Sequence, residues 1–150
     1  MACGRQRLRA MRVGGVFVFV VGQVVQRFFL EPVQEQRKVI GEATYAVLYC
    51  ANVYRLPREE IENMSEQRLA QLEDTGKTLR GLAAQLQSTL RAIPAYDTMA
   101  RMEWVPKRSD VLTASREFVG WSNSVYNKVD YEGHRDRRMT IIVDALSIIR

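Results

Sequence analysis

The sequence holds a single histidine, His134, and two cysteines, Cys3 and Cys50, and that scarcity removes most metal chemistry at the outset. No CxxC or HExxH pattern occurs, so spacing proposes neither a zinc or iron site nor any cofactor. One cysteine lies in the N-terminal arm and the other in an apolar run, which excludes a disulfide framework; Cys50 reads as a small buried hydrophobe. No serine sits in a GxSxG turn, and no tandem repeat or low-complexity stretch is visible. Acidic residues are missing altogether before Glu31.

That last absence decides how the charge should be read. The net charge of +5 would suit a nucleic-acid binder if it lay on the folded body. Instead Arg5, Arg7, Arg9, Arg12 and Arg27 supply five positive charges before Glu31, leaving seventeen basic and seventeen acidic residues over 31–150. The body is neutral and the excess flanks an apolar segment, where arginines favour anionic lipid by about 1 kcal/mol each close to the surface. Nucleic acid is therefore not an expected partner, whereas a lipid bilayer is.

The apolar segment, VGGVFVFVVGQVVQRFFL over residues 13–30, is 18 residues long. As a helix it rises about 27 Å, close to the hydrocarbon thickness of a bilayer. Gln23 and Gln26 interrupt it, and Arg27 lies one turn from its end, where a long side chain can return its charge to the headgroups. Pro32 follows, at a point where the helix is expected to kink or restart. Three other readings compete. A buried strand would suit VFVFVV, but no partner strand appears elsewhere. A cleavable signal peptide would need a small-x-small site, which VVQRFFLEP does not offer. An interfacial amphipathic helix would need a polar face, yet Val16 to Val21 cover every face. Four arginines before the span, against Arg27, Arg37 and Lys38 after it, lean toward an inside N-terminus; a start at Met11 would reverse that. The expected organisation is a basic arm over 1–12, a transmembrane anchor over 13–30 and a helical domain over 31–150, which is one domain's worth of chain.

Within that domain the spacing predicts a first helix over Pro32–Tyr54, with Val33, Ile40, Ala43, Val47 and Ala51 in register, its second half apolar enough to belong in a core, packed on other helices, or partly against the membrane surface. Asn63 and Glu66 resemble a capping box, with Ser65 as another cap. A long helix follows, striped by Leu69, Leu72, Leu79, Leu82, Leu86, Leu90 and Ile93, with Thr75 or Gly76 in the missing step and Pro94 closing it. Residues 95–108 read as a connector. Ser109 is expected to cap a third helix whose face is Val111, Leu112, Ser115, Phe118, Val119, Ser122 and Tyr126. The last helix runs from about His134 to Ile149 on Met139, Ile142, Val143, Leu146 and Ile149, with Arg135, Arg137 and Arg138 as a solvated or lipid-facing first turn. The fold class is all-α: an N-terminal transmembrane helix, then an antiparallel bundle of about four helices.

Few residues could carry chemistry. Glu42 and Asn52 on the first domain helix could meet Ser122, Asn123 and Ser124 if the first and third helices pack together, and such a cluster more often fixes helix register than catalyses. Pairing Ser122 or Ser124 with His134 lacks the turn that activates a serine. Glu59, Glu60 and Glu62 fit a solvated helix start.

The stretches FFLEPVQEQRKVIGEATYAVLYCANVY and REFVGWSNSVY resemble an uncharacterised family of small bacterial single-span membrane proteins with a helical domain. The resemblance implies a single-pass membrane protein and carries over no catalytic residue. The expectation is a membrane-anchored interaction or scaffold module, with a protein partner or a second copy held through helix packing. The alternative is a small membrane-surface enzyme acting on lipid, with a polar pocket near Ser122, Asn123 and Glu42.

Overall fold

The computed structural model describes residues 16–53, 65–124 and 134–146, with side chains for all of these except 50–53 and 134–135. Among them every regular element is helical and no strand occurs. Helix α1 covers residues 16–25, a π-helical segment Gln26–Leu30 follows, and α2 is Glu31–Val53. The remaining helices are α3 (Glu66–Ala92), α4 (Tyr96–Arg101), α5 (Arg108–Ser124) and α6 (His134–Leu146).

The first three pieces are one continuous rod. Val25 and Glu31, on either side of the π segment, keep helical angles of φ −61°, ψ −45° and φ −58°, ψ −49°. Pro32 was expected to kink or restart the helix, but the helix continues through it. Proline lacks an N–H and its ring crowds the carbonyl four residues back, here that of Phe28. The wide turn of the π segment contains Phe28 and gives the backbone room at that carbonyl.

Helix α3 keeps most of its predicted stripe inside. Leu79, Leu82, Leu86, Leu90 and Ile93 are buried, and Thr75 and Gly76 together fill the missing step. Leu69 is 55% exposed, at the start of α3, where every side chain over 65–70 is exposed among the described residues. Ser65 occupies the N-cap position without a side-chain capping bond, and Asn63 lies outside the described residues. The helix ends as Pro94 requires: the residue before a proline is pushed to extended angles, and Ile93 has φ −89°, ψ 113°.

Residues 95–108 are more ordered than a connector. Ala95 turns the chain through a left-handed conformation, φ 50°, into α4, and Tyr96, Met99 and Val105 are buried. Six residues are too few for helical periodicity to register, which is why α4 is not legible in the sequence. Ser109 does not cap α5. The Lys107 carbonyl accepts the N–H groups of Asp110 and Val111 at 3.0 and 3.1 Å, so the helix starts at Arg108, and Ser109 Oγ donates to Asp110 Oδ1 at 2.9 Å.

The inner face of α5 is Val111, Ala114, Ser115, Phe118, Trp121 and Ser122. Val119 of the expected face is 40% exposed; the i, i+3, i+7, i+10 run from Val111 points inward through Ala114, Phe118 and Trp121, so the indole takes a core position. In α6, Ile142 and Leu146 are buried and Met139 and Val143 pack half-buried beside them.

Paired contacts give the helix directions. Gln36, early in α2, meets Tyr96 beyond the end of α3, while Tyr49, late in α2, meets Gln71 early in α3. Between α3 and α5, Arg80 meets Ser122 and Gln87 meets Ser115. Each pair steps forward on one helix as it steps back on the other, so the neighbours are antiparallel. Helix α6 packs on α5 and reaches back to α2. The core at their junction includes the fully enclosed Ala43, Leu79, Leu86, Val111, Phe118 and Ile142.

Candidate interaction surfaces

The largest apolar surface is α1. Every side chain from Val16 to Phe28 is exposed, with Val16, Phe17, Val18 and Phe19 between 64 and 71%. Phe29 is the first to pack, half-buried, against the core. A contiguous apolar surface of this kind exceeds what a water-soluble monomer ordinarily presents. By length and composition the helix over Val16–Tyr49 could cross a membrane.

A second surface lies where α2 meets α3. In the apolar second half of α2, among the described side chains, Ala43, Ala46 and Val47 are buried, while Tyr45, Leu48 and Tyr49 are 69, 64 and 44% exposed. A helix with one core-facing side must present its remaining residues elsewhere, and an apolar composition does not change that geometry. Tyr45 and Tyr49 stack with ring centroids 5.9 Å apart, and Gln71 Nε2 donates to the Tyr49 hydroxyl at 3.3 Å. These residues wall an open cavity of about 640 Å³ with Glu42, Asp74, Thr78 and Leu82. Glu42 sits on its edge, 3.9 Å from Lys38 Nζ.

The other polar residues of interest face α3 from α5. Arg80 donates through Nε to Ser122 Oγ and through Nη2 to Asn123 Oδ1, both at 3.0 Å, and Ser122 Oγ donates to the Val119 carbonyl at 3.0 Å. One turn pair further on, Gln87 Nε2 donates to Ser115 Oγ at 2.8 Å, and that buried hydroxyl donates to the Ala83 carbonyl at 3.0 Å. These bonds fix the register of two helices. Among the described residues the partners of these two serine hydroxyls are Arg80, Gln87 and backbone carbonyls; the His134 side chain is not among the described ones. Ser124 Oγ donates to the Trp121 carbonyl at 2.7 Å.

Ser122 and Asn123 are thus brought together by Arg80, whereas Glu42 lies on the other side of α3, in the α2–α3 cavity that neither of them lines. The first and third domain helices are separated by α3, which packs on both. The Asn52 side chain and the segment Glu59, Glu60 and Glu62 lie outside the described residues. Arg80 and Gln87 are the partners that sequence reasoning missed; each is about thirty to forty residues from its bonded serine, with no local signal to link them.

Arg138 also departs from expectation. It is half-buried against α5, with Nη1 3.0 Å from Glu117 Oε2, and its guanidinium fills the space beside Gly120, where a Cβ would collide with it. The absent side chain at Gly120 is what lets the two helices share this ion pair.

At the end of the bundle where α2 begins, Gln36 is fully buried and its Nε2 donates to the Tyr96 hydroxyl at 2.8 Å, which donates in turn to the Pro106 carbonyl at 2.8 Å. Burial raises the Tyr96 pKa above its ordinary 10.0, only partly offset by the bond from Gln36 and the nearby Arg108. Arg108 lies 5.0 Å over the Tyr96 ring and 3.2 Å from Asp97. On the open face of α3, Lys77 bonds Glu73 at 2.8 Å and lowers its carboxyl pKa.

Among the described residues no group of three or more His, Cys, Asp or Glu side chains is placed to hold a metal ion. No protein-family model, curated protein or solved structure matches the chain.

Proposed function

We propose that this protein is a membrane-anchored helical interaction module: α1 crosses the bilayer once, and the bundle offers the α2–α3 surface to a protein partner or a second copy. The observation that carries the reading is the complete exposure of Val16–Phe28 on a helix continuous with the folded domain. Among the described residues nothing covers those side chains, and lipid is the solvent that removes the cost of exposing them. The predicted leucine stripe is consumed inside the bundle from Leu79 onward, so its exposed member Leu69, with Tyr45, Leu48 and Tyr49, is the apolar surface near α3 open to helix packing. The resemblance to small bacterial single-span proteins points the same way. A lipid-directed enzyme built on Glu42, Ser122 and Asn123 is disfavoured by their separation across α3.

Cell fractionation tests the anchor. The untagged protein should sediment with membranes and resist salt and alkaline washes; recovery in the soluble fraction without detergent overturns the reading. For the interaction surface, a photo-crosslinking residue at Leu48 should capture a discrete adduct in native membranes, and one at Thr140, exposed on α6, should not.

A further inference from the structure

Among the described residues outside α1 and the α2–α3 surface, Val119 of α5 is 40% exposed, and the loop after α4 places two larger apolar side chains in the open, Met102 at 61% and Trp104 at 49%. The loop is held firmly. Val105 is buried, the Tyr96 hydroxyl binds the Pro106 carbonyl, and Arg37 Nη2 donates to the Trp104 carbonyl at 3.4 Å. Glu103 turns the chain through φ 60°, a conformation that non-glycine residues seldom adopt, between the two exposed side chains.

Its position links it to α1. Arg37 is seven residues past Leu30, roughly 10 Å along the helix axis, and long helical side chains lean toward the helix N-terminus. The headgroup layer occupies roughly 5–7 Å beyond the hydrocarbon on each side. A loop tied to Arg37 therefore stands at the headgroup level if α1 ends near Leu30, and a tilt of roughly 20°, the average for spanning helices, tips one flank of the bundle closer still. Composition fits the same place. Tryptophan prefers the membrane interface, where its apolar ring and N–H are both satisfied. Over residues 101–108, Arg101, Lys107 and Arg108 face Glu103 as the one acidic residue, although Arg108 is shared with Asp97.

We propose that the loop carrying Met102 and Trp104 is a second membrane contact, a foot that sets the bundle on the headgroups of an anionic leaflet beside the point where α1 emerges. The proposal rests on α1 spanning the bilayer. With one helix alone the bundle could take any tilt; with the foot, one face of it is held against the lipid and the α2–α3 surface, whose Tyr49 lies far along α2, is held away.

The test uses the full chain in vesicles of phosphatidylcholine and phosphatidylglycerol whose acyl chains carry bromine near the glycerol backbone. Trp104→Phe leaves Trp121, 2% exposed in the core, as the remaining tryptophan, so the difference between wild type and variant is the emission of Trp104. Trp104 should lose most of its emission to the brominated lipid and be shielded from aqueous iodide. Joint substitution Arg101→Glu and Lys107→Glu should reduce that quenching on phosphatidylglycerol-containing vesicles. If the protein resists alkaline extraction yet Trp104 stays bright and open to iodide, the foot is wrong and the span stands. Quenching in protein that washes off would sink the span and, with it, a foot placed beside its exit, and loss of both quenching and association would likewise overturn the two together.

Discussion

One continuous helix passes through two surroundings. Along residues 16–28 every side chain is exposed, while along α2 Val33, Gln36, Val39, Ala43, Ala46 and Val47 turn inward, Ile40 and Thr44 are half-buried beside them, and Glu35, Lys38, Glu42, Tyr45 and Leu48 face out. The two stretches share a backbone and differ in surroundings: α2 has α3 and α6 beside it, whereas among the described residues none covers the side chains of α1. The lesson is that apolar composition alone does not say where a residue will lie. Gln36 is fully buried in α2 and Phe17 is 69% exposed in α1, so the neighbours, and not the side chain's own preference, set the outcome.

The contrast can be broken most sharply in α1. Placing a charge near the span centre, as in Val21→Asp, should cost about 3 kcal/mol of insertion, and a pair with Phe19→Asp should move the protein out of the membrane fraction while the circular dichroism of the bundle persists. Loss of the fold instead would mean that α1 is a core element. The matching change in the bundle is Phe118→Ala, expected to cost about 3–5 kcal/mol of domain stability in a denaturant titration and to leave membrane association unaltered.

A smaller effect comes from pH. The folded Tyr96 phenol holds its proton to higher pH than the unfolded one, so its contribution is whole below about 10 and falls as pH rises through the folded value. Alkaline melting should show this loss, and Tyr96→Phe, less stable at neutral pH for want of the two hydrogen bonds, should lack that part of the slope. The smallest prediction compares two helical glycines. A Cβ at Gly41 meets nothing within 4 Å, so Gly41→Ala should stabilise by about 0.5–1 kcal/mol through helix propensity. Gly120→Ala should show no such gain, because Arg138 must leave its place beside Glu117. Equal shifts in melting temperature for the two variants would mean that the Arg138 contact does not persist in solution.

Legibility in the sequence followed the range of the interaction responsible. The end of α3 was legible at Pro94 and Ile93 because a proline restricts its immediate neighbour, and the buried step at Thr75 and Gly76 followed from spacing along one helix. The facing error in α5 came from a rotated stripe: Val119 and Trp121, two residues and about 200° apart, lie on opposite sides of the helix, and the fold turns the Trp121 side inward. The polar pairs Arg80 with Ser122, Arg138 with Glu117 and Gln36 with Tyr96 join residues from 21 to 60 positions apart, so only the assembled fold brings them together. Glu42 and Asn123 were singled out for their residue type, and type alone could not foresee α3 standing between their helices.

The π segment carries a mechanical consequence. Each residue of an α-helix turns the chain by about 100°, and a π turn accommodates one more residue than an α turn does. Gln26–Leu30 therefore works as a phase slip: it sets which compass direction the α2–α3 surface points relative to the faces of α1. With no flexible joint between the two, a protein that grips one side of α1 in the bilayer would dictate the bearing of the whole bundle, like a key turned by its shaft.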